Sequence, residues 1–241
     1  MFRLMRTVAI IVGYAALATT RLNAMEQKKK TLPTVHSQDT YTSLMAKKWA
    51  GCILDSAGVT VEVTGNNSND DKPVLLISNH EGNFDIPVLI HAIERPFGFV
   101  SKIEVKQIPF LDKWMVALNS IYLDRSNRRS SLQMIKDGVA SLKAGHNLLI
   151  FPEGHRSKGQ GLQEFKAGGL KIAKSAGVDI VPVAISGTSD IMEKYDSKRM
   201  VPGKVTVQIL EPVPASVFTD HSLDEVGQLI RQRIAEALTR A

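Results

Sequence analysis

The chain has 241 residues, 44% of them apolar and 22% charged, which is ordinary for a globular protein and enough for a sizeable hydrophobic core. Its single cysteine, Cys52, excludes an intrachain disulfide and is consistent with a reducing compartment. The net charge of +6 favours anionic partners, but the sequence lacks zinc-finger spacing, an aromatic-basic motif and a recognition helix, which argues against nucleic acid as that partner.

The first segment of the chain combines a basic start with an uncharged apolar run from Thr7 to Thr20. A bilayer span needs roughly 20 residues, and residues 2–24 reach that length if their arginines extend to the headgroups. Residues 1–24 are therefore interpreted as a membrane anchor or interfacial segment, as a cleaved signal peptide, or as a buried helix of a soluble domain. More basic residues follow the run than precede it, so a spanning segment would leave the body of the protein in the cytoplasm.

The next residues divide into a polar stretch and an amphipathic one. Residues 25–38 have no apolar pattern and predict a linker. The sequence DTYTSLMAKKWAGCIL, which begins at Asp39, carries its apolar residues at helical spacing. This helix either packs on a core or lies at a membrane interface with Lys47 and Lys48 on its polar side. No strong linker follows, so residues 39–241 are predicted to form one domain.

Short β-rich runs alternate with helical patterns through the rest of the chain. Alternation of this kind predicts an α/β fold with a mostly parallel central sheet flanked by helices. The predicted strands are 59–63, 74–78, 97–101, 120–124, 147–151, 179–185 and 204–210. The predicted helices are 84–94, 110–118, 127–144, 166–176 and 222–240.

Polar clusters follow three of the predicted strands. They are NHEGNFD at 79–85, DRSNRR at 124–129 and PEGHRSKG at 152–159. Because the carboxyl ends of parallel strands meet at one edge of a sheet, we expect these clusters to form a single site.

His80 and Asp85 are the candidate general base and its orienting carboxylate. A strand end, a tight turn at 81–83 and a helix beginning near Asp85 would let the two side chains converge. An imidazole held by a carboxylate can take a proton from a substrate. The chain has no GxSxG nucleophile, which favours direct group transfer to a substrate hydroxyl. A purely structural His–Asp pair is the alternative. HExxH is absent, so we expect no metal.

Several cations lie near the same predicted strand ends. Arg125 precedes a predicted helix, and an arginine beside free helix N–H groups makes a phosphate site. Gly154 permits close backbone approach to a ligand. Arg156 adds positive charge beside Gly154, and Lys166 and Lys102 add it from two further segments. Together with the membrane signals, these residues predict a substrate with a hydroxyl, a phosphate and a lipid tail.

Four segments resemble, in order, the motifs of the glycerolipid acyltransferases. NHEGNFD resembles the NHxxxxD motif, NSIYLDR the second block, FPEGHRS the FPEGTRS motif and IVPVAI the fourth block. The resemblance covers about residues 72–186. His155 departs from it, because the family usually has threonine there, and this change predicts altered phosphate contacts or head-group choice.

The resemblance implies a reaction and a set of site residues. His80 would take the proton from the free hydroxyl of lysophosphatidic acid, with Asp85 orienting it, and the oxygen would attack an acyl thioester to give phosphatidic acid. The donor would be acyl-CoA or acyl carrier protein, and no metal or cofactor would be needed. The substrate-binding residues would be Lys102, Arg125, Glu153, Gly154, His155, Arg156 and Lys166.

The resemblance also bears on location and on alternative functions. Acyl thioesters are cytoplasmic, which favours an uncleaved segment on the cytoplasmic face of the cell membrane, in contact with membrane lipids. Other acceptors remain open: glycerol 3-phosphate, another lysophospholipid or a glycolipid. A non-catalytic lipid-binding protein of the same fold is the alternative from a different class.

Overall fold

A computed structural model describes residues 2–108, 110–196 and 198–240. The helices in it are α1 (Phe2–Thr20), α2 (Leu22–Lys29), α3 (Val35–Ala57), α4 (Asp85–Ala92), α5 (Leu111–Ala117), α6 (Arg128–Lys143), α7 (Leu170–Ala176), α8 (Val217–Asp220) and α9 (Leu223–Arg240). The strands are β1 (Val59–Gly65), β2 (Val74–Ser78), β3 (Gly98–Lys102), β4 (Ile121–Leu123), β5 (Leu148–Ile150), β6 (Asp179–Ser186) and β7 (Gly203–Ile209). Short 3₁₀ helices span Ile103–Gln107, Ala167–Gly169 and Glu193–Tyr195.

The strands form one seven-stranded sheet in the order β1-β7-β6-β2-β5-β3-β4. All neighbouring strands are parallel except β6 and β7, which are antiparallel. The central strand β2 is buried at every position, which explains why VLLIS is continuously apolar rather than alternating. The prediction of a mostly parallel sheet flanked by helices is confirmed.

Helices cover both faces of this sheet. Ile53 of α3 and Leu89 of α4 are buried in the core on one face. On the other face, α9 places Val226, Ile230 and Ile234 one helical turn apart, and all three side chains are fully buried. The sheet therefore separates two hydrophobic cores, and only its ends remain for a polar site.

The predicted strands all occur, with boundaries within one or two residues of those expected. The segment 25–38 differs from the prediction, because it is helical at both ends. It contains the end of α2 and the start of α3, where Thr34 and Ser37 form a capping box. The division of the chain into segment, linker and domain stays a prediction.

Helix α1 packs on α3 along one face. The Thr7 and Ser56 hydroxyl oxygens lie 2.8 Å apart, and the Tyr14 hydroxyl donates to Met45 Sδ at 3.3 Å. By length and apolar composition α1 could also cross a bilayer. The opposite face of α1 exposes Phe2, Met5, Val8, Val12 and Leu17. The buried-helix interpretation of this segment therefore accounts for one face of α1 only.

Helix α3 is a core helix, as the first of its two interpretations predicts. It buries Ala50, Ile53 and Leu54 against the sheet and its covering helices. Lys47, on its polar side, forms an ion pair with Glu94 at 3.0 Å.

Candidate active site

The three polar clusters meet at the carboxyl edge of the sheet. Strands β2, β5, β3 and β4 run parallel, so the loops that follow them leave from the same edge. His80, Arg125 and Gly154, one from each cluster, line the same cavity. The expectation that the clusters come together is confirmed.

The turn after β2 brings His80 and Asp85 into contact. His80 Nδ1 lies 2.6 Å from Asp85 Oδ2, and the Asp85 side chain is fully buried. With Nδ1 as the donor to Asp85, Nε2 is the ring nitrogen left to accept a proton. The imidazole stacks on Phe151, with ring centroids 4.0 Å apart, and it lines the cavity. The geometry suits a general base.

Backbone and side-chain donors hold Asp85 in place. Its Oδ2 accepts the N–H groups of Glu81 at 2.7 Å and Gly82 at 3.1 Å, in addition to His80. Its Oδ1 accepts a hydrogen bond from the Thr188 hydroxyl. The tight turn thus explains the five-residue spacing of the motif: residues 81 and 82 supply amides that fix the carboxylate.

Glu153 lies beneath His80 rather than in the cavity lining. Its side chain accepts the His80 N–H at 2.8 Å and the Gln163 N–H at 3.2 Å, and the residue is 1% exposed. Burial raises the pKa of Glu153, while the two amide donors oppose that rise. The sequence predicts substrate binding here, whereas the contacts indicate that Glu153 positions the backbone of His80.

Four of the predicted cations line the cavity: Lys102, Arg125, Arg156 and Lys166. Arg125 donates to the Gly154 carbonyl, and burial lowers the pKa of its guanidinium. Arg156 donates to Asn83 Oδ1, and its Nη1 lies 3.7 Å from Glu193 Oε1. The positive charges near His80 suit an anionic group such as a phosphate.

Gly154 and His155 occupy different positions in this loop. Gly154 has φ +76°, a backbone conformation that favours glycine, and a Cβ there would lie 3.2 Å from Lys166 Nζ. His155 is exposed and lies outside the described lining of the cavity. Its proposed part in head-group choice therefore has no contact to support it within the described residues.

The cavity has a volume of about 670 Å³, a size typical of a small-molecule site. Besides the polar groups, it is lined by apolar side chains from the helical layer over one sheet face. These include Trp49, Ile90, Val105, Leu111, Trp114 and Met115. A cavity of this composition can hold an alkyl chain next to a charged head.

Sequence reasoning missed several groups that build the site. Asn79 bonds both backbone groups of Ile185, at 2.8 and 2.9 Å, and so joins the ends of β2 and β6. Glu81 accepts the N–H groups of Gly187 and Thr188. The sequence carries a signal for these contacts, since the polar stretch SGTSD follows a predicted strand just as the three recognised clusters do.

Among residues 2–108, 110–196 and 198–240, no three His, Cys, Asp or Glu side chains converge as a metal site would need. That a metal or cofactor plays no part in the site stays a prediction.

The Acyltransferase family model matches residues 60–186, more than half of the 241-residue chain. The chain belongs to this acyltransferase family. The matched residues contain all three clusters and both members of the His–Asp pair. The resemblance drawn from the motifs is confirmed.

Two relatives and one solved structure extend the comparison. The chain is 33% identical over 168 residues to a 1-acyl-sn-glycerol-3-phosphate acyltransferase of Chlamydomonas reinhardtii, covering 70% of this chain and 50% of that protein. It is 33% identical over 167 residues to the 1-acyl-sn-glycerol-3-phosphate acyltransferase of Salmonella typhimurium, covering 67% of each. The crystal structure of the 1-acyl-sn-glycerophosphate (LPA) acyltransferase PlsC from Thermotoga maritima matches with TM-score 0.79 and 24% identity, covering 99% of this chain and 97% of that one.

The matches differ in how much of the matched protein they cover. The chain spans about half the length of the first curated relatives it matches. The Thermotoga maritima structure, at 24% identity, shows that the chain described here shares its fold over nearly the whole length of both proteins.

Glu153→Ala is expected to destabilise the protein by about 2 kcal/mol or more, because the backbone amides of His80 and Gln163 would lose their carboxylate acceptor. Glu153→Gln keeps one acceptor oxygen and should cost less. Urea unfolding of both variants measures the difference. An unchanged unfolding free energy with a raised KM for the acceptor would instead support the sequence prediction that Glu153 contacts substrate.

Proposed function

We propose that the protein transfers an acyl chain from an acyl thioester to the free hydroxyl of 1-acyl-glycerol 3-phosphate, forming phosphatidic acid in phospholipid biosynthesis. The observation that carries the proposal is the His80–Asp85 pair, 2.6 Å apart, facing a cavity that is cationic beside the base and apolar beyond it. The names of the relatives from Chlamydomonas reinhardtii and Salmonella typhimurium support the choice of substrate.

The proposed chemistry is direct transfer. His80 Nε2 takes the proton of the acceptor hydroxyl as its oxygen attacks the thioester carbonyl carbon. The C–O bond forms, the C–S bond breaks, and the imidazolium returns the proton to the departing thiolate. Asp85 keeps Nδ1 protonated and stabilises the imidazolium while it exists. No covalent enzyme intermediate is needed.

The cationic side of the cavity is proposed to bind the phosphate of the acceptor. The planar guanidinium of Arg125 can donate two N–H groups to a phosphate. A hydrogen bond from its Nη1 to the Gly154 carbonyl holds it beside the loop after β5. Lys166 lies close by, because its Nζ would contact a Cβ at Gly154. Lys102 and Arg156 complete the positive lining from β3 and the loop after β5.

The apolar side of the cavity is proposed to bind an acyl chain. Trp114 and Met115 come from α5, and Trp49 from α3, so helices supply this wall of the cavity. Burial of an alkyl chain contributes about 0.8 kcal/mol for each methylene removed from water. Selectivity for chain length would then depend on these helical side chains.

The test is an acyl-transfer assay on purified protein in detergent micelles. Lysophosphatidic acid is offered with labelled acyl-CoA, and in parallel with acyl carrier protein as donor. Monoacylglycerol, which lacks the phosphate, and glycerol 3-phosphate, which lacks the acyl chain, are the comparison acceptors. We expect phosphatidic acid as the main product. Absence of transfer to lysophosphatidic acid from both donors would contradict the proposal.

We propose that α1 lies in the membrane interface, on the cytoplasmic face, rather than spanning the bilayer. Its inner face is occupied by α3, and its Tyr14 and Ala15 line the same cavity as His80. A spanning α1 would carry α3, with Lys47 and Lys48, into the hydrocarbon core, where charged groups are costly. The exposed apolar face of α1 is free to enter the acyl region while the sheet stays in water.

Leu17→Glu is expected to weaken binding to vesicles by about tenfold, because Leu17 is 73% exposed on the free face of α1 and would otherwise be buried in lipid. Sedimentation with vesicles of phosphatidylglycerol and phosphatidylethanolamine measures the change. The matched control is Leu132→Glu, since Leu132 is 54% exposed but lies on α6, away from α1. Equal effects of the two substitutions would contradict the assignment.

A further inference from the structure

The turn that follows β6 contributes to the site, although it lies outside the four recognised motifs. Thr188, in this turn, is fully buried, and its hydroxyl donates to Asp85 Oδ1. Asp85 Oδ2 is already shared by three donors, His80, Glu81 and Gly82. Within the described part of the chain, Thr188 is the one partner of Oδ1.

A carboxylate holds this hydroxyl in place. Glu81 Oε2 accepts the N–H groups of Gly187 at 3.0 Å and Thr188 at 3.1 Å, and it lies 3.3 Å from the Thr188 hydroxyl oxygen. A hydroxyl has a single proton to donate, and we assign it to Asp85 Oδ1, since Glu81 Oε2 already has two amide donors. Glu81 therefore fixes the backbone of the turn, and the turn aims the Thr188 hydroxyl at Asp85.

Hydrogen bonds link Glu81, Thr188 and Asp85 to one another. Glu81 donates its own backbone N–H to Asp85 while its side chain anchors the turn at Gly187 and Thr188. Burial, together with the nearby charge of Asp85, raises the pKa of Glu81 to about 7. Two carboxylates this close repel each other, so their arrangement is retained only because amides and the hydroxyl compensate both.

We propose that Thr188 is a positioning residue for the reaction, holding the Asp85 carboxylate with Oδ2 toward His80, and that Glu81 acts through Thr188 by anchoring its turn. Without the hydroxyl, Oδ1 is a buried charged oxygen with no donor, and the carboxylate can rotate away from the imidazole. Neither Thr188 nor Glu81 is assigned to contact the substrate. The inference rests on the proposed function, because the effect of Thr188 is measured as a change in the rate of acyl transfer.

Thr188→Val, which is close to isosteric, is expected to lower kcat by about 10- to 100-fold, the range for loss of a hydrogen bond to a charged group. KM for lysophosphatidic acid should change by less than about twofold, because no binding contact is lost. Thr188→Ser keeps the hydroxyl and should restore most of kcat. Ser189→Ala is the matched control: it removes a neighbouring hydroxyl but keeps the amide that lies 3.5 Å from Glu81 Oε2.

A double-mutant cycle tests the part assigned to Glu81. If Glu81 acts through Thr188, then Glu81→Ala lowers kcat alone but adds little to Thr188→Val. Circular dichroism checks the fold, and Thr188→Ala replaces Thr188→Val if the valine variant unfolds. An active wild type with unchanged kcat in folded Thr188→Val, or with full additivity in the cycle, overturns the inference. An inactive wild type overturns the proposed function instead.

Discussion

His80→Ala is expected to lower acyl transfer by about 10⁴-fold, since the variant has no base to take the hydroxyl proton. The residual rate should come from substrate binding alone. Acceptor KM should change little, because the phosphate and the acyl chain are bound by other groups. The measurement is steady-state transfer to lysophosphatidic acid at saturating thioester.

His146→Ala is the matched control for this substitution. His146 Nδ1 lies 2.6 Å from Asp39 Oδ2, so the described residues contain a second His–Asp pair with the same Nδ1–Oδ2 distance. That pair lies outside the described lining of the cavity and joins α3 to the loop before β5. Its loss should cost stability without changing the rate for each folded molecule. Full activity in folded His80→Ala would contradict the mechanism.

Asp85→Asn is expected to lower kcat by about 10³-fold while leaving the fold intact. The amide oxygen can replace Oδ2 and accept the three donors there, and the amide N–H₂ can donate to the Thr188 oxygen. Shape and hydrogen bonds are thus largely kept, whereas the negative charge that stabilises the imidazolium is lost. The same assay measures kcat, and thermal unfolding measures stability.

Asp39→Asn provides the comparison, because it removes the carboxylate charge from the second His–Asp pair. It should leave kcat near that of the wild type. Equal activity of folded Asp85→Asn and wild type would show that His80 needs no charged partner, and the structural interpretation of the pair would then be favoured.

The sheet could be predicted from the sequence because its strands are short runs rich in β-branched and apolar residues, separated by polar turns and helical patterns. The helical ends of the segment 25–38 could not, because they have no apolar periodicity. The start of α3 depends on Thr34 and Ser37 rather than on the more familiar glutamate of a capping box. The antiparallel pairing of β7 with β6 is likewise invisible in the sequence of either strand.

In the candidate site, the residues were easier to predict than their contacts. His80 and Asp85 converge because the intervening turn is short. The direction of the Glu153 side chain depends on two amides, one of them at Gln163 in a different segment, so a motif cannot distinguish a buried anchor from a ligand. Thr188 belongs to the site through pairing of β6 with β2, which is a property of the sheet and not of local sequence.

The loops that follow β2 and β5 are joined by their backbones as well as by Glu153. The Ser157 N–H donates to the His80 carbonyl at 2.8 Å, and the Lys158 N–H to the Glu81 carbonyl at 3.0 Å. Transplanting the second loop from a relative of different loop length, to redesign acceptor preference, would therefore displace the base itself. Head-group choice is better engineered at cavity-lining side chains of this loop such as Arg156, with the length and backbone of the loop preserved.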